Sequence, residues 1–410
     1  MSTAAVLAER RTVGATESAG AEPAVTTLVA FWRFGPYHLA RLAAARRLLP
    51  ARGLAFGTDD GYGWDQEASE SVDTLLPGQS IERPDPETSA RRFGDLLARD
   101  RPRAVAIPGW GDPVSLAVLR EAKARRIPLV LMSESTALDE PRVVWKEAVK
   151  RRIVRLFDAA LVGGRPQADY VAQLDMPPER IFLGYDVVDN AHFARPAPAP
   201  AEIGPWNGRP FFLASARFIA KKNLPRLLRA FARYRALAGA DAWNLVLLGD
   251  GPLRGELEAL RAQLALEPHL LVPGFRQYPE LPGWYQAASC FVHASTSEQW
   301  GLVVNEAMAA GLPVLVSNRC GCAVDLVQEG VNGFTFDPLD VEELARLMHR
   351  VAHGAVDRAA MGAASRRIIA DWGPERFAKG LKAAVDCALA QPRRPISALD
   401  RALLRALIRR

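Results

Sequence analysis

Ser297-Glu298-Gln299-Trp300-Gly301-Leu302-Val303-Val304-Asn305-Glu306-Ala307-Met308-Ala309-Ala310-Gly311-Leu312-Pro313-Val314 is the stretch on which the reading of this chain turns. It lies between two short apolar runs, Cys290–His293 and Pro313–Val316. Such runs, separated by helical periodicity, read as buried strands. The stretch is therefore a loop leaving one strand, a helix, and Gly311 as the helix stop before the next strand. Gly301 lets the backbone come close to a ligand. The amides of Gly301, Leu302 and Val303 point out of the helix start, which favours an anion. Glu298 precedes that terminus and Glu306 lies more than one turn inside the helix. A carboxylate aimed at a diphosphate would be repelled, whereas one facing a vicinal diol accepts two hydrogen bonds. An anion-binding terminus flanked by two diol-binding acids describes a site for a sugar–nucleoside diphosphate. The plainer alternative is a helix whose Glu298 favours the dipole and whose Glu306 is solvated.

Working outward, the same strand–helix alternation recurs along the chain. Upstream, Thr27–Trp32, Leu54–Thr58, Ala104–Pro108, Leu129–Met132, Ala159–Val162 and Ile181–Gly184 read as strands, with helices over Leu39–Leu49 and Pro113–Arg125. Downstream, Phe211–Ala214, Leu245–Leu248, Leu270–Val272 and Gly333–Phe336 join the two runs already named. Helices are expected near Leu224–Leu237, Leu253–Leu266, Val303–Ala310 and Val341–Val351. Continuous apolar strands alternating with helices predict parallel sheets covered on both faces, hence an α/β chain with two Rossmann-like domains. Pro196, Pro198, Pro200, Pro205 and Pro210 mark 195–210 as a linker that is neither helix nor central strand. The division predicted is a disordered leader over 1–25, a first domain over 26–194, the linker, and a second domain over 211–380. An amphipathic terminal helix over 381–410 would pack back on the first domain. Ligands of paired α/β domains sit in the cleft beside the carboxyl ends of the strands.

Composition narrows the class. The 410 residues are 49% apolar and 24% charged, as in a globular protein with a large core. No run approaches the ~18 apolar residues of a membrane-spanning helix, and the first 25 residues lack the apolar segment of a secretory signal. Four cysteines make no disulfide framework, so a cytoplasmic setting is expected. Lys plus Arg exceed Asp plus Glu by 52 to 46. That mild excess favours anionic small molecules or a membrane surface, and without basic stretches interleaved with aromatics it gives no ground for nucleic acid.

Glu298 and Glu306 enclose seven residues, and the segment resembles the E-x7-E signature of the family 4 retaining glycosyltransferases, which have the GT-B fold. Ser215-Ala216-Arg217-Phe218-Ile219-Ala220-Lys221-Lys222-Asn223 is similar to that family's Arg-x4-Lys phosphate loop. Leu248-Gly249-Asp250-Gly251-Pro252 resembles its G-x-G-P turn, and Gly330-Val331-Asn332-Gly333-Phe334 its entry into a late strand. The resemblance implies that Arg217 and Lys222 clamp the donor phosphates and offset the charge on the leaving group. It implies that Glu306 holds the ribose, that Glu298 holds the transferred sugar, and that the backbone at Phe275 and Arg276 faces the base. Gly35, in the Phe34-Gly35-Pro36-Tyr37-His38 turn, would approach the diphosphate, and His38 would touch a substrate or cap its helix. Many members carry a histidine after a strand of the first domain where this chain has Ser133-Glu134-Ser135, so Glu134 is the candidate polar group near the anomeric carbon. Tyr185-Asp186-Val187-Val188-Asp189-Asn190 resembles the strand that ends that domain.

The expected reaction is transfer of a hexosyl group from a nucleotide sugar to an acceptor hydroxyl in the synthesis of a polysaccharide, glycolipid or small glycoside, and the resemblance implies retention at the anomeric carbon. No Asp-x-Asp occurs, so neither metal nor cofactor is expected. Gly249-Asp250-Gly251-Pro252-Leu253-Arg254-Gly255 only superficially resembles a dinucleotide fingerprint, because its third glycine is one position late. Cys320-Gly321-Cys322 is too few ligands for zinc. Two basic amphipathic stretches, Arg142–Arg155 and Ile396–Arg409, read first as faces covering a domain. Their other reading is as surfaces for an anionic membrane bearing a lipid-linked acceptor. A nucleotide-sugar epimerase and a non-catalytic binding protein remain the alternatives in other classes.

Overall fold

The computed structural model describes residues 27–58, 69–206, 208–354, 356–393 and 395–409. The expected leader over 1–25 lies outside them. The first sheet contains β1 (Thr27–Phe31), β2 (Ala51–Ala55), β3 (Val72–Thr74), β4 (Ala104–Pro108), β5 (Leu129–Ser133), β6 (Ala159–Val162) and β7 (Ile181–Leu183). The second contains β8 (Phe211–Ser215), β9 (Asn244–Leu248), β10 (Leu270–Gly274), β11 (Cys290–His293), β12 (Val314–Ser317) and β13 (Gly333–Phe336). Every strand pair is parallel, in the orders β3-β2-β1-β4-β5-β6-β7 and β10-β9-β8-β11-β12-β13.

Parallel strands require crossovers, and here these are helices. The first domain has α1 (Pro36–Arg46), α2 (Pro86–Asp100), α3 (Pro113–Ala124), α4 (Val144–Val154) and α5 (Arg165–Gln173), followed by α6 (Asn190–Ala194). The second has α7 (Leu224–Ala238), α8 (Arg254–Gln263), α9 (Leu281–Ala287), α10 (Leu302–Ala310), α11 (Ala323–Leu326), α12 (Val341–His353) and α13 (Arg358–Ala370). The chain ends with α14 (Pro374–Ala390) and α15 (Ala398–Ile408). Both faces of each sheet are therefore covered, which is why the strands are apolar throughout: β1, β5, β6, β9, β11 and β12 are buried at every position. This is the GT-B architecture.

Several expectations are corrected. β2 begins at Ala51, three residues before the expected Leu54, because Ala51–Ala55 pair along β1 in register. Three-residue β3 offers too little pattern to be read from sequence. The linker contains a 3₁₀ turn, Ala201–Trp206, which encloses Pro205; an i→i+3 turn has few amide donors for proline to remove. Tyr185–Asn190 is not a strand. Asp189 instead caps α6, accepting from the Ala191 and His192 amides at 3.0 and 3.3 Å. The boundary expected between 380 and 381 falls inside α14, a continuous helix that lies on β4, β5, β6 and β7 of the first sheet and beside α1. Gly380 makes the close approach possible, because a Cβ there would meet the Leu183 carbonyl and the Leu161 side chain. α15 follows and packs on α3.

Candidate active site

In both sheets the strand order reverses direction at one point, between β1 and β4 and between β8 and β11. Loops leaving such a pair diverge and open a crevice at the carboxyl ends of the strands. The sequence-derived residues of the second domain stand at that crevice. Arg217 and Lys222 follow β8, and Glu298 and Gly301 follow β11.

The β8 loop is shaped by the turn after β9. The Phe218 amide donates to the Asp250 carbonyl at 2.8 Å, and Gly249 and Gly251 have φ of +122° and +153°. A Cβ on Gly251 would lie 2.8 Å from the Phe218 nitrogen. The two glycines therefore let one loop rest directly on the other. Arg217 is exposed on this loop, and Lys222 ends a 3₁₀ turn closed by Asn223 in the left-handed region. The Asn223 amide group donates to the Ala294 and Pro338 carbonyls at 3.0 and 2.7 Å, which pins the loop to the end of β11.

The Lys222 ammonium donates to the Glu298 carboxylate, and both side chains are mostly buried. Further contacts to that oxygen come from nearby in the chain: the same Oε2 stands 3.3 Å from His293 Nε2 and accepts from the Ser295 hydroxyl at 3.2 Å. Burial alone would raise the Glu298 pKa, but the His293 bond and the Lys222 charge outweigh it and hold the carboxyl well below the usual range. Burial keeps His293 neutral by lowering its pKa. Gly301 caps α10 with φ +104°. The ladder of α10 begins at the Val304 amide, which donates to the Gly301 carbonyl at 2.9 Å. The amides of Gly301, Leu302 and Val303 thus form the open end of the helix.

Glu306 is 2% exposed, so it is not a solvated acid. Its oxygens accept from two phenols, Tyr285 of α9 at 2.5 Å and Tyr37 of α1 at 2.7 Å. Burial raises its pKa and the two hydroxyls lower it. The diol expected against Glu306 has its place filled by tyrosine hydroxyls in this conformation, one of them contributed by the opposite domain. Neither tyrosine was legible as a site residue, since Tyr37 lies 269 positions away from its partner.

On the first-domain side, Gly35 is the N-cap of α1, and its amide donates to His38 Nδ1 at 3.2 Å. His38 is thereby a cap within its own turn; burial lowers its pKa to about 3. Glu134 leaves β5 and lies beside Asp186, which is fully buried. Burial, reinforced by the Glu134 charge, pushes the Asp186 carboxyl well up. Burial also raises Glu134, against the Arg41 charge. Phe275 and Arg276 follow β10. Phe275 is exposed, and Arg276 pairs with Glu202 of the linker at 2.6 Å while lying over the Trp284 ring. Its guanidinium is committed to holding the linker, which sequence reasoning did not anticipate. The domains are also joined by Gln167 to the Gln299 carbonyl and by Arg165 to Asp325 at 2.7 Å. Trp300 packs against Gly163 and Gly164. Cys320 and Cys322 are buried and unoxidised, and among the described residues no three His, Cys, Asp or Glu side chains converge as metal ligands.

Two parallel α/β domains face each other across a GT-B cleft, with a cation–carboxylate pair and an open helix start at the switch point of the second. Residues 199–368 match the family described as glycosyl transferases group 1. Over 126 residues the chain is 38% identical to a sulfoquinovosyl transferase of Arabidopsis thaliana, covering 30% of this chain and 24% of the relative. It is 27% identical over 246 residues to an alpha-D-kanosaminyltransferase of Streptomyces kanamyceticus, covering 59% and 61%. The chain thus spans less than two thirds of these curated relatives. Among solved structures, sucrose-phosphate synthase of Thermosynechococcus elongatus superposes with a TM-score of 0.69 at 18% identity, covering 87% of this chain and 97% of that one. The Anabaena protein HepE in complex with UDP gives 0.67 at 18%, covering 87% and 98%. At these identities the likeness speaks for the fold.

Proposed function

We propose that the protein is a retaining, metal-independent glycosyltransferase that moves a hexosyl group from a nucleoside-diphosphate sugar to an acceptor hydroxyl. The observation that carries this reading is the buried Lys222–Glu298 pair beside the open start of α10, inside the span that matches group 1 glycosyltransferases. On donor binding, the diphosphate takes the α10 amides and replaces Glu298 as partner of the Lys222 ammonium, with Arg217 on the same loop as second cation. Glu298, still held by His293 and Ser295, turns its free capacity to the sugar hydroxyls. Glu306 exchanges Tyr37 for the ribose. The bond between the anomeric carbon and the phosphate oxygen breaks, and the acceptor oxygen bonds to that carbon on the same face. The acceptor proton passes to the departing phosphate oxygen. Lys222 and Arg217 offset the charge that develops there, so no metal is required.

The test is incubation of the purified chain with UDP-, GDP- and ADP-hexoses, with and without an acceptor mixture and with and without EDTA. Acceptor-dependent nucleotide release, retained anomeric configuration and indifference to EDTA are expected. Free epimer formed without acceptor would instead identify an epimerase. Saturable donor binding without turnover would identify a binding protein, and turnover lost in EDTA and restored by Mn²⁺ would overturn the metal-free mechanism.

A further inference from the structure

Helix α4 turns its apolar residues outward at its first turn. A helix that covers a core buries its apolar stripe. In α4 only Ile153 and Val154, at the far end, are buried. Val144 is 88% exposed, Trp145 55%, and Leu138 in the preceding loop 65%. Cations surround these groups. Lys146 lies over the Trp145 ring at 5.9 Å, Arg142 precedes the helix, and Lys150 and Arg151 continue along it. The neighbouring acids are already engaged, with one exception. Glu147 accepts from Lys150 at 3.0 Å and stands 3.4 Å from Arg142. Asp139 accepts from the Thr136 amide and hydroxyl at 2.8 and 2.7 Å. Among the acids of the Leu138 loop and α4, Glu140 is the exposed one. The adjoining helix α15, tied to α4 by Arg152–Asp400 at 2.5 Å, adds Leu399 at 60% exposure together with Arg401 and Arg405.

Exposed Trp and Val among cations fit the headgroup layer of a bilayer, where the indole sits at the interface, apolar tips enter the acyl boundary and cations meet phosphates. A cavity of about 410 Å³ opens at the same place. Trp110, Leu116, Trp145, Val149 and Tyr170 form walls of it, and it reaches Gln299, the residue next to Glu298. We propose that the first turn of α4 and the Leu138 loop insert into an anionic lipid bilayer, and that the cavity receives the hydroxyl end of an acceptor held there. The second clause rests on the glycosyl-transfer reading; the first does not.

Flotation tests the docking without any turnover assay, so its failure and a failure of donor chemistry are distinguishable. Vesicles of phosphatidylcholine carrying roughly a third phosphatidylglycerol should carry the protein up the gradient, while phosphatidylcholine alone should not. The pair Val144→Ser and Trp145→Ser should cut the bound fraction at least about tenfold, and Lys146→Glu should cut it several-fold. Arg229→Glu, on α7 of the other domain, should leave it unchanged. Brominated acyl chains should quench part of the tryptophan emission, and that part should vanish in Trp145→Phe. The proposal is overturned if the wild type stays at the bottom with anionic vesicles, or if the serine pair floats as well as the parent. It is equally overturned if the patch proves to drive dimerisation, with sedimentation mass falling in the serine pair and no lipid binding.

Discussion

Glu306 and Tyr37 set the terms at the scale of single residues. A buried carboxylate that accepts from two phenols is satisfied without ligand, so under the proposed function a ribose would displace one of them, and Tyr37 is the one on the opposite domain. Tyr37→Phe removes the competitor. UDP should then bind about tenfold tighter, while the unliganded protein loses about 1–3 kcal/mol of stability. Titration calorimetry and thermal unfolding measure the two. Unchanged affinity with reduced stability would mean that Tyr37 keeps its bond in the complex. His38 gives a second test. Its Nδ1 accepts the Gly35 amide, so protonation would set a donor against a donor. With the folded value at about 3 against an ordinary 6.5, the unfolded chain binds the extra proton between those limits. The ring's contribution to stability is therefore present above 6.5 and is lost as pH falls through that window. From pH 7 to 5 the loss should be about 1–2 kcal/mol for the partly exposed ring. His38→Gln, which offers an uncharged acceptor at the same helix position, should shrink it. Urea unfolding at the two pH values reads the difference.

Elements show what was legible and what was not. Buried strands such as Ala104–Pro108 and Ala159–Val162 begin and end in the structure where their apolar runs do, because a strand covered on both faces has no polar position to blur it. The loop-to-helix reading of Ser297–Val314 also matches α10, whose limits are set by Gly301 and Gly311, both with positive φ. Partnerships across the chain are different in kind. That Lys222 reaches Glu298 and that Asp186 lies buried by Glu134 both depend on how loops from separate strands converge. No local pattern encodes that. Arg276 shows the converse, since its place after β10 says nothing of Glu202 in the linker. The β9 turn tests whether one loop positions another. Gly251→Ala brings a methyl group against the Phe218 backbone and imposes a φ that alanine resists, which should push the Arg217–Lys222 loop from its seat. Donor affinity should fall at least about tenfold, equivalent to ~1.4 kcal/mol, with the circular dichroism spectrum unchanged. Unaltered donor binding would separate the loop from the site.

At the scale of the whole molecule, the first domain is completed by the end of the chain. Phe377, Leu381 and Val385 of α14 lie in one cluster with Val29, Phe31, Val130 and Leu161, so one face of the first sheet is covered by a helix that follows the entire second domain. Folding of the first sheet must therefore wait for a segment roughly two hundred residues downstream of β7, and the entropy of closing that loop is offset only when α14 docks. The second domain depends on it far less, because both faces of its sheet are covered by its own helices, apart from Tyr37 of α1 and the segment carrying Val188, Phe193, Ile203 and Trp206. Leu381→Ala opens a cavity in the shared cluster and should cost about 2–5 kcal/mol. The loss should appear in one domain only. Native-state hydrogen exchange should show β4, β5 and β6 losing protection while β8, β9 and β11 keep theirs, since local opening follows the cooperative unit that was weakened. Equal loss in both sheets would mean that the links at Tyr37–Glu306, Gln167–Gln299 and Arg165–Asp325 bind the domains into a single unfolding unit, and donor binding would then stabilise the first sheet as strongly as the second.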